Sequence, residues 1–122
     1  MNKTAQEHLE NFIDAFKGDA KFEDLKKFLT VTQQNECLYV NRVSVEGQLM
    51  GINQLLKVST NIKLKAITGS NKVIKDFVII FENKDKKTKT KLQCRLIKQS
   101  GIRQAREDGV WGVNSTSFRH LK

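Results

Sequence analysis

Proline is absent from the chain, so nothing in it reads as a rigid spacer or a proline-rich ligand. Cysteine is scarce. Cys37 and Cys94 are too few for a disulfide framework and too far apart for a zinc knuckle, which suits a reducing compartment. His8 and His120 stand at opposite ends, outside any HxH or HExxH spacing, and no metal or cofactor is expected. Phosphate loops, dinucleotide fingerprints and the GxSxG nucleophile turn are missing too. No apolar run approaches the roughly 20 residues of a membrane span, and MNKTAQEHLE has no apolar stretch behind its lysine. A cytoplasmic protein without a membrane partner is expected.

What is present suits a folded domain. Of 122 residues 39% are apolar and 29% charged, too apolar for a disordered chain and long enough for one core. A single domain over residues 1–122 is expected. The net charge of +9 is unevenly spread. Residues 1–61 hold 7 basic and 8 acidic side chains, whereas residues 62–122 hold 15 basic and 5 acidic ones. A basic surface in the second half would attract polyanions without specifying which.

The first half has helical periodicity. Thr4-Ala-Gln-Glu7 has the form of a capping box, and Leu9, Phe12, Ile13 and Phe16 follow as one stripe. Gly18 is placed to end this helix and Asp19 to cap a second, whose buried side is Phe22, Leu25, Phe28 and Leu29. ECLYV and RVSVE, rich in β-branched and aromatic residues and divided by Asn41-Arg42, predict two brief strands or one bent one. After Gly47, Leu49, Ile52, Leu55 and Leu56 mark a third helix, although Gly51 inside it costs about 1 kcal/mol relative to Ala.

The second half reads as sheet. NIKLKAIT alternates apolar residues with lysines, and Gly69-Ser70-Asn71 supplies a turn. Phe77 to Phe81 is apolar at every position, predicting a central strand covered on both faces. In KDKKTKTKLQCRL the residues separate by parity, Leu92, Cys94 and Leu96 against Lys91, Gln93 and Arg95. Period two means strand, so the lysines become a hairpin tip and one strand face. A solvated, aggregation-resistant edge is sufficient reason for them. No aromatic occurs from Asn83 to Val110, so phosphate contact stays open there while base stacking is not expected. Gly101 to Asp108 is a polar connection, and VWGVNSTSF is the last strand, with Asn114 either wet or hydrogen-bonded inside.

This order, carried by the Leu9–Phe16 stripe, the segment YVNRVSVEGQLMGINQLL and the long hairpin strands, resembles the nuclear transport factor 2-like superfamily. That superfamily includes ketosteroid isomerase-like and polyketide cyclase-like domains. The resemblance implies an α+β, cystatin-like fold: a curved mixed sheet forming a cone around three N-terminal-half helices. It also implies a homodimer through the outer sheet face and a pocket inside the cone. Phe16, Tyr39, Asn41, Cys94 and Trp111 are the expected lining residues, suited to a small apolar ligand held by a few polar groups. Where isomerase-like relatives would carry an acid after Tyr39-Val40, the chain has Asn41, which can orient a ligand but cannot accept a proton. The carboxylates of the second half, Asp76, Glu82, Asp85, Glu107 and Asp108, fall at predicted strand ends or in loops. A binding domain for a small molecule or a protein partner is therefore the expectation. An isomerase, cyclase or hydratase, or a basic domain on nucleic acid, is the alternative.

Overall fold

The structure, a computed structural model, describes residues 4–30, 32, 34, 42–67, 72–99 and 110–121. Tyr39, Asn41, the segment ECLYV, the turn Gly69-Ser70-Asn71 and the connection Gly101–Asp108 lie outside the described residues.

The first helix, α1, spans Ala5–Lys17. Thr4 caps it: the Glu7 N–H donates to Thr4 Oγ1 at 3.1 Å, and that hydroxyl donates back to Glu7 Oε1 at 3.1 Å. The reciprocal link thus runs through the threonine hydroxyl. Leu9, Phe12, Ile13 and Phe16 are all buried, as the stripe requires. The exit differs from expectation. Ala20 N–H donates to the Ala15 carbonyl and Asp19 N–H to the Phe16 carbonyl, closing a Schellman motif. Asp19 occupies its left-handed position at φ 57°, a conformation that Asp tolerates better than most residues. It therefore ends α1, and Lys21 stands at the start of the short α2, Phe22–Leu25, which continues as a 3₁₀ turn over Lys26–Phe28.

RVSVE is helix, not strand. It forms the start of α3, Arg42–Val58. Val45, Leu49 and Ile52 are buried at i, i+4 and i+7, while Val43 is 86% exposed. The two valines thus part company by helical geometry, and Arg42 reaches Glu46 one turn on. β-Branching lowers helix propensity by only a few tenths of a kcal/mol, less than burying Val45 returns. Gly47 consequently lies inside the helix along with Gly51.

The strands β1 (Asn61–Ala66), β2 (Ile74–Asn83), β3 (Thr88–Gln99) and β4 (Val110–Leu121) pair antiparallel in the order β1-β2-β3-β4. Among the described residues the expected mixed sheet is thus an antiparallel meander, and its one parallel contact is the isolated bridge from Leu29 to Val113. On β2, Phe77, Ile79 and Phe81 are buried while Val78 and Ile80 are half-buried. Register then fixes the faces. Ile62, Leu64, Phe77, Ile79, Phe81, Leu92, Cys94 and Leu96 point toward the helices; Lys63, Lys65, Val78, Ile80, Lys91, Gln93 and Arg95 point away. The helices cover the first face only.

Two local devices shape this sheet. At the β2–β3 turn, Lys87 takes a left-handed conformation at φ 55°, and Asn83 clamps the tip. Its Oδ1 accepts from the Lys86 N–H at 3.1 Å, and its Nδ2 donates to the Val58 carbonyl at 2.7 Å, fastening the last turn of α3 to the hairpin. The second device is an irregularity in β4. Arg95 faces Asn114 and Gln93 faces Arg119, so five steps on β4 match two on β3. Ser117 fills the offset, accepting from the Arg95 N–H at 2.8 Å and donating to the Asn114 carbonyl at 2.6 Å. The excess is odd, and strand side chains alternate, so the bulge exchanges the two faces of β4. Before it Trp111 and Val113 face the core; beyond it Phe118 and His120 do.

Candidate functional site

The exchange of faces has a direct consequence beneath α3. Gly47 and Gly51 stand one turn apart on the same side of the helix, and a Cβ built on either meets no atom within 4 Å. Opposite them, Leu92 and Phe118 form an apolar floor, with Ile52 and Leu55 along the wall. The result is an open groove of about 350 Å³, within the lower range of small-molecule sites. Without the bulge, Arg119 would point into this space and Phe118 would point away. His120, which lies beyond the end of the last strand expected from the sequence, belongs to β4 opposite Leu92 and lines one side.

Polar groups in the groove are few. The Gln48 amide oxygen is buried and accepts no hydrogen bond among the described residues. A buried acceptor without a donor costs roughly 1–3 kcal/mol, which a ligand hydroxyl or N–H would relieve. His120 is exposed, and its imidazole offers one donor and one acceptor when neutral. Among the described residues the lining contains no carboxylate.

A second groove, of about 270 Å³, runs between α1, α2 and α3 and includes Phe16, Phe22, Leu25 and Met50. Glu46 on its lining is engaged in an ion-pair network. Arg42 pairs with Glu46 and with Glu23 at 3.2 Å, and its guanidinium lies 4.8 Å from the Phe22 ring centre. The Glu46 hydrogen bond raises the Arg42 pKa, and the Lys26 hydrogen bond holds Glu23 below the usual carboxylate range. This groove carries no orphaned polar atom among the described residues.

The expected lining residues separate accordingly. Phe16 lines the groove between the helices. Cys94 is fully buried in the sheet-side core, and that burial pushes its thiol pKa far up, with a smaller contribution from Asp76. Trp111 is 8% exposed, opposite Lys98 near the start of β4. All three belong to one core cluster, yet Cys94 and Trp111 line neither groove. Gln48, Gly47, Gly51, Phe118 and His120 were missed. The available signal was the pair of glycines four apart in a helix, costly to propensity and useful only where something must fit.

Among the described residues no group of three His, Cys, Asp or Glu side chains could hold a metal ion, and no helix is long and apolar enough to cross a membrane. No protein-family model, curated protein or solved structure matches the chain.

Proposed function

We propose that the chain is a small-molecule-binding domain whose site is the groove beneath Gly47 and Gly51. The observation that carries this reading is the unpartnered, buried amide oxygen of Gln48, a residue that lines a mainly apolar trough. The ligand chemistry follows from it: a compact, mainly apolar molecule with one hydrogen-bond donor for Gln48 and a polar end near His120. Helices followed by a four-stranded antiparallel meander support reading the domain as nuclear transport factor 2-like. The lining holds no carboxylate among the described residues, which favours binding over proton abstraction.

Native mass spectrometry of the gently purified protein tests it, with Gly51→Leu alongside. The wild type should release a discrete small mass that the folded variant, its groove filled, does not carry. Equal retention by both proteins would move the site elsewhere. A bare wild type whose melting is unmoved by a library of apolar alcohols and amides would sink the reading.

A further inference from the structure

The face of the sheet turned away from the helices gathers cations from three of its strands. Lys63 and Lys65 on β1, Lys89, Lys91 and Arg95 on β3, and Arg119 on β4 share it with two carboxylates, Asp76 and Glu82. Both carboxylates are engaged. Asp76 receives Arg95 at 2.9 Å, and Glu82 receives Lys63 at 3.2 Å and Lys89 at 3.9 Å. Lys65, Lys91 and Arg119 are exposed and have no carboxylate partner among the described residues.

Their arrangement is regular. One cross-strand row reads Lys63, Ile80, Lys91, Leu121, and the next reads Lys65, Val78, Gln93, Arg119. Cations therefore flank an aliphatic ridge on β2, about 10–15 Å apart at the ordinary strand spacing. Val78 and Ile80 are half-buried on this face, which no layer covers among the described residues, and the long stems on both sides can shelter them. The opposite layer has the other sign: the described helical residues 5–30 and 42–58 hold 7 acidic and 6 basic side chains. The domain is electrically two-sided.

We infer that this sheet face is a docking surface for the phosphodiester backbone of a nucleic acid duplex, gripped without base readout. Charge decides among occupants. A second copy on the same face, as the dimer expected from the resemblance requires, would set six cations and two carboxylates, a net of four positive charges, against the same set across a two-fold interface, and like charges brought together are costly. A polyanion instead gains from Lys65, Lys91 and Arg119, which no carboxylate among the described residues engages, and releases its counterions. No Phe, Tyr or Trp lies on this face among the described residues, so single-strand base stacking has no platform. Rows of cations on a broad sheet suit backbone contact, which is sequence-independent. This inference is independent of the groove, which lies on the other side of the sheet.

The test is fluorescence anisotropy of a labelled DNA duplex of about two helical turns with the full chain. Binding should weaken on a log–log plot with a slope of roughly −3 or steeper between about 50 and 200 mM salt. The double variant Lys65→Glu with Lys91→Glu should bind about tenfold or more weakly. Lys21→Glu with Lys27→Glu, on the helix layer, changes net charge equally and should shift affinity by less than about twofold. All four positions are exposed, and circular dichroism melts check that each variant folds. Equal weakening by both pairs would reduce the effect to net charge and overturn the inference. So would tighter binding to phosphatidylserine vesicles than to the duplex, or light scattering showing a dimer that Lys65→Glu with Lys91→Glu dissociates.

Discussion

Arg95 and Asp76 face each other across β3 and β2 and meet in a two-pronged ion pair, Nε to Oδ1 at 2.9 Å and the second guanidinium nitrogen to Oδ2 at 3.2 Å. The pair holds an arginine on the basic face and raises its pKa, chiefly through the Asp76 hydrogen bond. It also withdraws that arginine from any external anion. Asp76→Asn should therefore tighten duplex binding by roughly two- to fivefold and steepen the salt slope by about one unit. Its cost in stability should be no more than about 1 kcal/mol, because Arg95 is 44% exposed and screened. Anisotropy and urea melts read the two effects separately.

Gly47 and Gly51 make opposite demands on stability and binding. Replacing either by alanine should stabilise the protein by about 1 kcal/mol, since the helix gains propensity and the new methyl meets no atom within 4 Å. The same methyls narrow the groove. A melt that rises while ligand retention falls is the expected pairing; a melt that falls would mean the groove is tighter than its geometry shows.

Asn83 ties the end of α3 to the hairpin through both ends of its amide. Asn83→Ala should cost about 1–2 kcal/mol by urea denaturation, two modest hydrogen bonds lost at a partly exposed site. Amide exchange should accelerate at Lys86, whose N–H loses its acceptor. Asn83→Asp should restore the Lys86 protection while leaving the Val58 carbonyl without its donor.

Cys94 should be inert in the native state. It is fully buried and its thiol pKa is pushed far up, so the thiolate needed for attack is neither formed nor reachable. Peptide mapping after iodoacetamide treatment should find Cys94 unlabelled until denaturant is added. Labelling at native rates would show that the sheet opens locally.

Glu82 gives the acid limb of the stability curve a specific source. Its hydrogen bond with Lys63, aided by Asn61 and Lys89, holds it below the usual glutamate range. A folded pKa below the unfolded one contributes stability above the unfolded value, and that contribution disappears as pH falls through the folded value. The urea midpoint should drop below about pH 4.5, and Glu82→Gln should drop less steeply over the same window. Identical slopes would place the acid sensitivity elsewhere.

Much of the frame was legible because it obeys a period. The α1 stripe and the alternation in β1 and β3 were read correctly, since one buried face imposes 3.6 or 2.0 on the sequence. The lysine stretch was likewise placed as a hairpin tip and one face of a strand. RVSVE was misread because two valines two apart imitate a strand when the burial of Val45 with Leu49 and Ile52 is not visible. Asp19 was misassigned because a residue between two helices can serve either one, and only backbone hydrogen bonds choose.

By itself, then, the sequence determined the helical stripes, the four strands and an excess of positive charge in the second half, because each is a property of neighbours along the chain. The tertiary structure alone decided which residues share a surface. An odd insertion opposite β3 turned Phe118 and His120 inward under two glycines, and register placed lysines from separate strands on one face. Neither can be read from composition or period, because pairing between distant strands is set by packing, and a shift of one residue sends every side chain to the other face.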